Sequence, residues 1–194
     1  LVGVWRLGNL ILLALRKRLG NTWSLLGYHS GLVGVTVLTC IVFPLALAGF
    51  FSRSIAALLA NGLAILGLLG APFALRSAQF WRVEWKRSAA VVSISKVCIA
   101  MLAGYFLLAL APITEADSLD YHVGVALRVL NTGAFPADPA WFSSRLAGAG
   151  ETLIALGLAI GAEQFGSLLQ WMGLTSVVKL ILTFGTGSLE DSQG

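Results

Sequence analysis

The sequence predicts an all-α fold: a polytopic transmembrane helix bundle whose extracytoplasmic loop carries a short amphipathic interfacial helix. Of the 194 residues, 57% are hydrophobic and 11% are charged, and the mean hydropathy is +0.85. Soluble domains carry about 25% charged residues, so this composition excludes an ordinary soluble domain. Uncharged runs of the length that spans a bilayer, about 20 residues, also alternate with polar segments along the chain. A single membrane domain over residues 1–194 is the resulting prediction.

Residues 1–30 are predicted to form a partial or interfacial helix followed by a loop. The first 15 residues are apolar apart from Arg6 and Asn9, and a basic run at residues 16–18 follows them. A signal peptide carries its positive charge before the apolar core, so this order argues against one. Two interpretations remain open: the cytoplasmic end of a membrane helix, and an amphipathic surface helix. Because the chain begins at Leu1, we expect it to be a piece of a longer protein.

Three transmembrane helices are predicted between residues 31 and 112. The apolar runs that are long enough to span are residues 31–51, 55–75 and 89–112. A tight turn at residues 52–54 separates the first two runs. Cys40 and Cys98 lie inside apolar runs, which predicts buried free thiols rather than a disulfide framework.

A basic segment at residues 76–88 follows the second run. It holds four Lys or Arg residues against one Glu, with Phe80, Trp81 and Trp85 among them. Basic residues interleaved with aromatic ones also occur in nucleic-acid-binding proteins. A short segment between two spans is more typical of a cytoplasmic membrane interface, so no nucleic-acid partner is expected. The prediction places residues 76–88 inside the cell and residues 113–145 outside.

The predicted outer loop, residues 113–145, begins with the densest ionisable cluster in the chain. Its members are Glu115, Asp117, Asp120, Tyr121 and His122. Apolar residues then recur at i, i+3 and i+4 spacing, which predicts a helix over residues 118–131. The side chains expected to face the membrane or the protein are Leu119, Val123, Leu127 and Leu130. Gly133 is expected to follow as the C-cap of this helix.

Two kinds of chemistry and one structural role fit this cluster. Asp117, Asp120 and His122 could hold a divalent cation through carboxylate oxygens and an imidazole. A carboxylate could instead act as a general base. In the structural alternative, Asp117 is an ordinary N-cap and Asp120 complements the helix dipole. Arg128 could pair with a carboxylate or a phosphate, or be an ordinary surface residue.

The C-terminal part is predicted to add one or two membrane helices within residues 146–184. Residues 146–162 are apolar apart from Glu151, and residues 165–183 contain few polar side chains. Both numbers of crossings fit this pattern. The polar residues 185–194 are predicted to be a disordered tail.

The span before the cluster, the cluster and the amphipathic helix together resemble the membrane glycosyltransferases of the GT-C superfamily, such as the protein O-mannosyltransferases and the aminoarabinose transferases. Their first extracytoplasmic loop carries an Asp-Glu-x-x-Tyr-like signature. In the sequence Ala-Asp-Ser-Leu-Asp-Tyr-His, Asp117 matches the Asp and Tyr121 matches the Tyr. Ser118 stands where the usual Glu would be, and the resemblance implies Asp120 as the compensating carboxylate. The resemblance covers residues 89–184 and is greatest to a bacterial branch of the superfamily.

The resemblance implies the N-terminal portion of an enzyme that transfers a sugar from a polyprenyl-phosphate donor to an extracytoplasmic acceptor. It implies a bacterial plasma (inner) membrane location, a possible divalent cation, and Asp117 as the catalytic base. The implied substrate or acceptor contacts are Tyr121, Arg128 and Glu151. The implied metal ligands are Asp117, Asp120 and His122. The alternative is a non-enzymatic multi-pass membrane protein, a transporter piece or an assembly subunit, although a transporter should place ionisable residues in mid-span.

Overall fold

The computed structural model describes residues 1–19, 29–84, 92–114, 118–136 and 148–190. Throughout these ranges the regular structure is helical, with no β-strand, so the predicted all-α class is confirmed. The long N-terminal helices are α1 (Val2–Leu19), α2 (Ser30–Leu47), α3 (Arg53–Glu84) and α4 (Val92–Leu110). The remaining elements are a π-helical turn (Ser118–Val123), α5 (Gly124–Thr132), α6 (Ala149–Leu158) and α7 (Phe165–Glu190).

The short helix α6 lies at the centre of the fold. It contacts α2, α3, α5, α7 and the π-helical turn. Thr152, Ala155 and Leu156 of α6 are at most 1% exposed. The same buried core includes Val42 from α2 and Val129 from α5. Helix α6 therefore determines how the outer-loop helix sits against the longer helices.

Helix α1 packs against both α2 and α3 through positions that have no side chain. A Cβ atom at Gly34 would overlap the carbonyl oxygen of Val4, and one at Gly3 would overlap the carbonyl oxygen of Leu63. Backbones approach this closely only where glycine removes the Cβ. The N-terminal apolar segment is thus a complete 18-residue helix that is integrated with its neighbours.

Within the described ranges, two helical segments are long and apolar enough to cross a membrane: Ser30–Leu47, and Arg53–Pro72 within α3. Only 33% and 17% of these two segments are buried. On α3, Leu58, Ile65 and Leu68 are between 60% and 77% exposed. The core helix of a soluble protein is mostly buried, whereas a helix that is apolar all round and left uncovered is typical of a membrane segment.

Helix α4, the third predicted span, packs against α7. The indole N–H of Trp171 donates a hydrogen bond to the carbonyl oxygen of Leu102 at 2.8 Å. The rings of Phe106 and Trp171 lie 4.9 Å apart between centroids. The apolar part of α4 runs over Lys96–Leu110.

Two predicted boundaries near α3 are wrong. The turn predicted at residues 52–54 occurs earlier, at residues 48–49, where Gly49 has φ +77°, and α3 already begins at Arg53. The basic segment predicted to be a loop is helical as far as Glu84, and residues 85–88 lie outside the described ranges. Charge marks where a helix meets polar surroundings, whereas its backbone hydrogen bonds continue beyond that point.

Towards the C-terminus the apolar segments form a short helix and a long one. Helix α6 has 10 residues, too few to span a bilayer, and α7 has 26. The tail predicted to be disordered is helical up to Glu190, and residues 191–194 lie outside the described ranges. Both cysteines are free, as predicted, but neither is buried: Cys40 is exposed and Cys98 is partly exposed.

The helix predicted over residues 118–131 is present, as the π-helical turn followed by α5. Val125, Ala126, Val129 and Leu130 are buried, whereas Leu119 and Leu127 are 45% and 41% exposed. Leu130 therefore faces the protein, and Leu119 and Leu127 lie on the uncovered side; the prediction named both the protein and the membrane for these leucines. The C-cap is as predicted: Gly133 has φ +80° and donates its N–H to the carbonyl oxygen of Val129.

Candidate functional site

Glu151 is a carboxylate inside the core, with only 5% of the residue exposed. It is the third residue of α6, and its Oε2 accepts a hydrogen bond of 2.7 Å from the backbone N–H of Gly148. The side chain thus caps the first turn of its own helix, where a negative charge also complements the helix dipole. A buried carboxylate needs further partners to offset the loss of water.

His122 is the second partner. Its Nδ1 lies 2.9 Å from Oε1 of Glu151. An ionised carboxylate only accepts hydrogen bonds, so opposite it Nδ1 carries a hydrogen, and when the imidazole is neutral Nε2 is left with a lone pair. The His122 side chain is 43% exposed and that of Glu151 is 6% exposed. The pair therefore connects the buried core to an accessible imidazole.

Tyr121 stands beside this imidazole. The centroids of the two rings are 4.4 Å apart and the ring planes are inclined by 37°. Tyr121 is partly buried and packs against the core cluster. Its ring therefore limits the orientations open to His122, as the hydrogen bond to Glu151 also does.

A cavity of about 480 Å³ borders the His122–Glu151 pair. Its other polar side chains are Glu163, Ser167 and Gln170, from the turn before α7 and from α7 itself. Ile113, from the segment after α4, also lines it. Two of the lining residues therefore flank positions 115–117 in the sequence: Ile113 precedes them and His122 follows them.

The structure brings together three of the residues singled out in the sequence. Glu151, expected to contact substrate, is paired with His122, expected to bind metal, and Tyr121 is stacked beside them. Asp117, the expected catalytic base, lies outside the described residues. Asp120 and Arg128 are exposed, and neither is among the residues that line the cavity.

The predicted metal site has no complete ligand set within the described ranges. No group of three or more His, Cys, Asp and Glu side chains comes together there. Nδ1 of His122 is directed to Glu151, which leaves Nε2 as its available nitrogen. An imidazole held by a carboxylate in this way is typical both of ligating and of proton-accepting histidines. A cation that involves Asp117 stays a prediction.

Sequence reasoning missed the pairing and the far side of the cavity. Glu151 and His122 are 29 residues apart. A single carboxylate in an otherwise apolar run was the available signal, because such a group must find a partner. Glu163, Ser167 and Gln170 gave no such signal, since polar residues at the start of a helix are common.

A family model described as the DUF1420 N-terminal domain matches residues 85–191, which is more than half of the chain. The matched segment includes α4 to α7, the His122–Glu151 pair, and all the residues lining the cavity except Val35. No curated protein matches the chain, and no solved structure matches it.

Proposed function

The chain belongs to the family of DUF1420 N-terminal domains, and we propose that it is the membrane-embedded N-terminal portion of a GT-C-like glycosyltransferase. In this proposal a sugar leaves a polyprenyl-phosphate carrier and joins an acceptor outside the bacterial plasma membrane. The observation that supports it is the cavity of about 480 Å³ that the His122–Glu151 pair borders, with Ile113 and His122, the lining residues nearest in sequence to Asp117, on its wall.

The reaction needs a base near the acceptor. The acceptor oxygen forms a bond to C1 of the sugar while the bond between C1 and the phosphate oxygen of the carrier breaks. The proton of the acceptor hydroxyl passes to the carboxylate of Asp117, and the bonding electrons leave with the phosphate. A general base of this kind contributes about 10²–10⁴-fold to a rate.

Charge compensation for the departing phosphate is the second requirement. A divalent cation bound by Asp117 and Asp120 would supply it, since carboxylate oxygens are the ligands that hard cations prefer. Arg128, which is exposed on α5, is a candidate partner for the phosphate. Glu151 lines the acceptor site, and Tyr121 supports it through the ring contact with His122.

The membrane placement follows from the distribution of apolar surface and charge. Helices α2 and α3 carry the two segments able to span, and most of each segment is uncovered. Basic residues at the end of α3 favour the cytoplasmic side by the positive-inside rule. Helix α4 then returns the chain to the outer side, where the cavity would be within reach of a lipid phosphate.

Replacing Asp117 in the full-length protein tests the proposed function. Asp117→Asn keeps the shape and capping ability of the side chain and removes the base. We expect transfer from a polyprenyl-phosphate sugar to fall roughly a hundredfold or more in isolated membranes, with unchanged protein level. The assay is the transfer of radiolabelled sugar, with and without a chelator.

Asp120→Asn is the matched control, because it removes a carboxylate three residues away that is not the proposed base. Its loss of transfer is expected to be smaller. Full activity of Asp117→Asn would remove Asp117 from the mechanism. No transfer by the wild-type protein with any polyprenyl-phosphate sugar would favour the non-enzymatic alternative.

A further inference from the structure

We infer that His122 and Glu151 form a hydroxyl-binding site, in which Nε2 of His122 accepts a hydrogen bond from a hydroxyl group of a neutral, hydroxyl-bearing ligand. Glu151 is the positioning residue that fixes the imidazole. In the proposed reaction this ligand is the sugar acceptor, so the inference rests on the proposed function. Its first observation is the 2.9 Å contact between Nδ1 and Oε1.

Glu151 itself is firmly placed. Its two carboxylate oxygens have different partners, the N–H of Gly148 at 2.7 Å and Nδ1 of His122 at 2.9 Å. The side chain is 6% exposed, so water does not compete well for either oxygen. This arrangement selects the imidazole tautomer with hydrogen on Nδ1 and leaves Nε2 as an acceptor.

The surroundings select the class of ligand. His122 and Glu151 line the cavity together with Glu163, Ser167 and Gln170. Two carboxylates disfavour an anion such as phosphate. The other polar groups are the amide of Gln170 and the hydroxyl of Ser167, which suit a ligand with several hydroxyl groups, and the rest of the lining is apolar, as at Leu153 and Ile154.

The chain contains two histidines, His29 and His122, which makes a direct measurement practical. The full-length protein is labelled with ¹⁵N-histidine, and the imidazole nitrogens are observed by NMR in alkaline buffer. His29→Gln and His122→Gln identify the signals of these two residues by their loss. We expect His122 to show hydrogen on Nδ1 and a bare Nε2.

Glu151→Ala tests the positioning role. It should shift His122 mainly to the tautomer with hydrogen on Nε2, which free imidazole side chains prefer. Glu163→Ala, which removes the other carboxylate of the cavity, should leave the tautomer as in the wild type. A wild-type His122 with hydrogen on Nε2 would overturn the inference. So would a tautomer that Glu151→Ala leaves unchanged, in a variant that is folded by its other signals.

Glucose serves as the neutral hydroxyl-bearing probe, and inorganic phosphate and Mn²⁺ as the contrasting ones. Glucose should shift the Nε2 signal of His122 and leave His29 unchanged, and phosphate should shift neither. No shift with glucose, a shift with phosphate instead, or selective broadening of His122 by Mn²⁺ would each overturn the hydroxyl site. Because these measurements need no transfer, the tautomer and the glucose shift can be present even when the glycosyltransferase assay fails.

Discussion

Glu151 combines a structural and a chemical role in one side chain. The carboxylate closes the N-terminus of α6 through Gly148 and holds His122 at the edge of the cavity. Helix α6 is the element that most others contact, so the same two hydrogen bonds connect the site to the centre of the core.

Removing this carboxylate should destabilise the protein. In Glu151→Ala the N–H of Gly148 and Nδ1 of His122 both lose their acceptor, and a buried group left unpaired costs about 1–3 kcal/mol. We expect a loss of that order in the free energy of unfolding, measured by denaturant titration in detergent. Glu163→Ala, at an exposed position on the same cavity, is the control and should change stability by less than about 0.5 kcal/mol. Equal losses in the free energy of unfolding for the two variants would show that the hydrogen bonds of Glu151 do not stabilise the protein.

At the level of single residues, the sequence singled out three side chains that the structure brings together, and not their arrangement. Tyr121, His122 and Glu151 were all recognised as candidate site residues. Their roles were divided between substrate and metal, because sequence spacing gives no distance across 29 residues. The pairing depends on the π-helical turn and on the burial of α6, and neither has a sequence signal of its own.

Among the helices, the crossing of α1 over α2 is set by glycine. Gly34 faces the backbone of Val4 so closely that any Cβ would overlap it. Gly62 on α3 has open space where a Cβ would stand, with nothing within 4 Å. The two positions therefore separate the packing role of a glycine from its intrinsic effect on a helix.

Gly34→Ala is expected to destabilise the protein by about 1–3 kcal/mol, since α1 must move to admit the methyl group. Gly62→Ala should be neutral or stabilising by about 0.5–1 kcal/mol, the ordinary gain from alanine in a helix. Thermal unfolding in detergent, followed by circular dichroism, measures both. A Gly34→Ala variant as stable as Gly62→Ala would contradict the close crossing.

The helices themselves were predictable where the apolar pattern was long and uninterrupted. Val92–Leu110 lies inside its predicted run, Ser30–Leu47 begins one residue before its own, and Gly133 ends its helix as expected. The continuation of α3 to Glu84 was not predictable from charge, because Lys, Arg and Glu are good helix formers.

Across the whole molecule, the buried apolar side chains and the uncovered ones lie on different helices or helix faces. The core gathers around α6, whereas α3 and α4 expose large apolar side chains, among them Leu68 at 77% and Leu107 at 69%. Composition alone predicted a helical protein with such surfaces. Which helices pack around the ten-residue central helix α6 depends on long-range packing, and no local pattern in the sequence encodes it.

The central claim is that the chain crosses the membrane with the Asp117–His122 segment on the outer side. The most direct test uses single cysteines introduced as Ser77→Cys and Ser143→Cys, in a protein whose Cys40 and Cys98 are replaced by serine. Ser143 lies outside the described residues and was chosen from the sequence. Intact cells are treated with a membrane-impermeant maleimide. Position 143 should be labelled at once and position 77 only after permeabilisation. Labelling of position 77 but not of position 143 in intact cells would contradict the orientation and, with it, the proposed extracytoplasmic site.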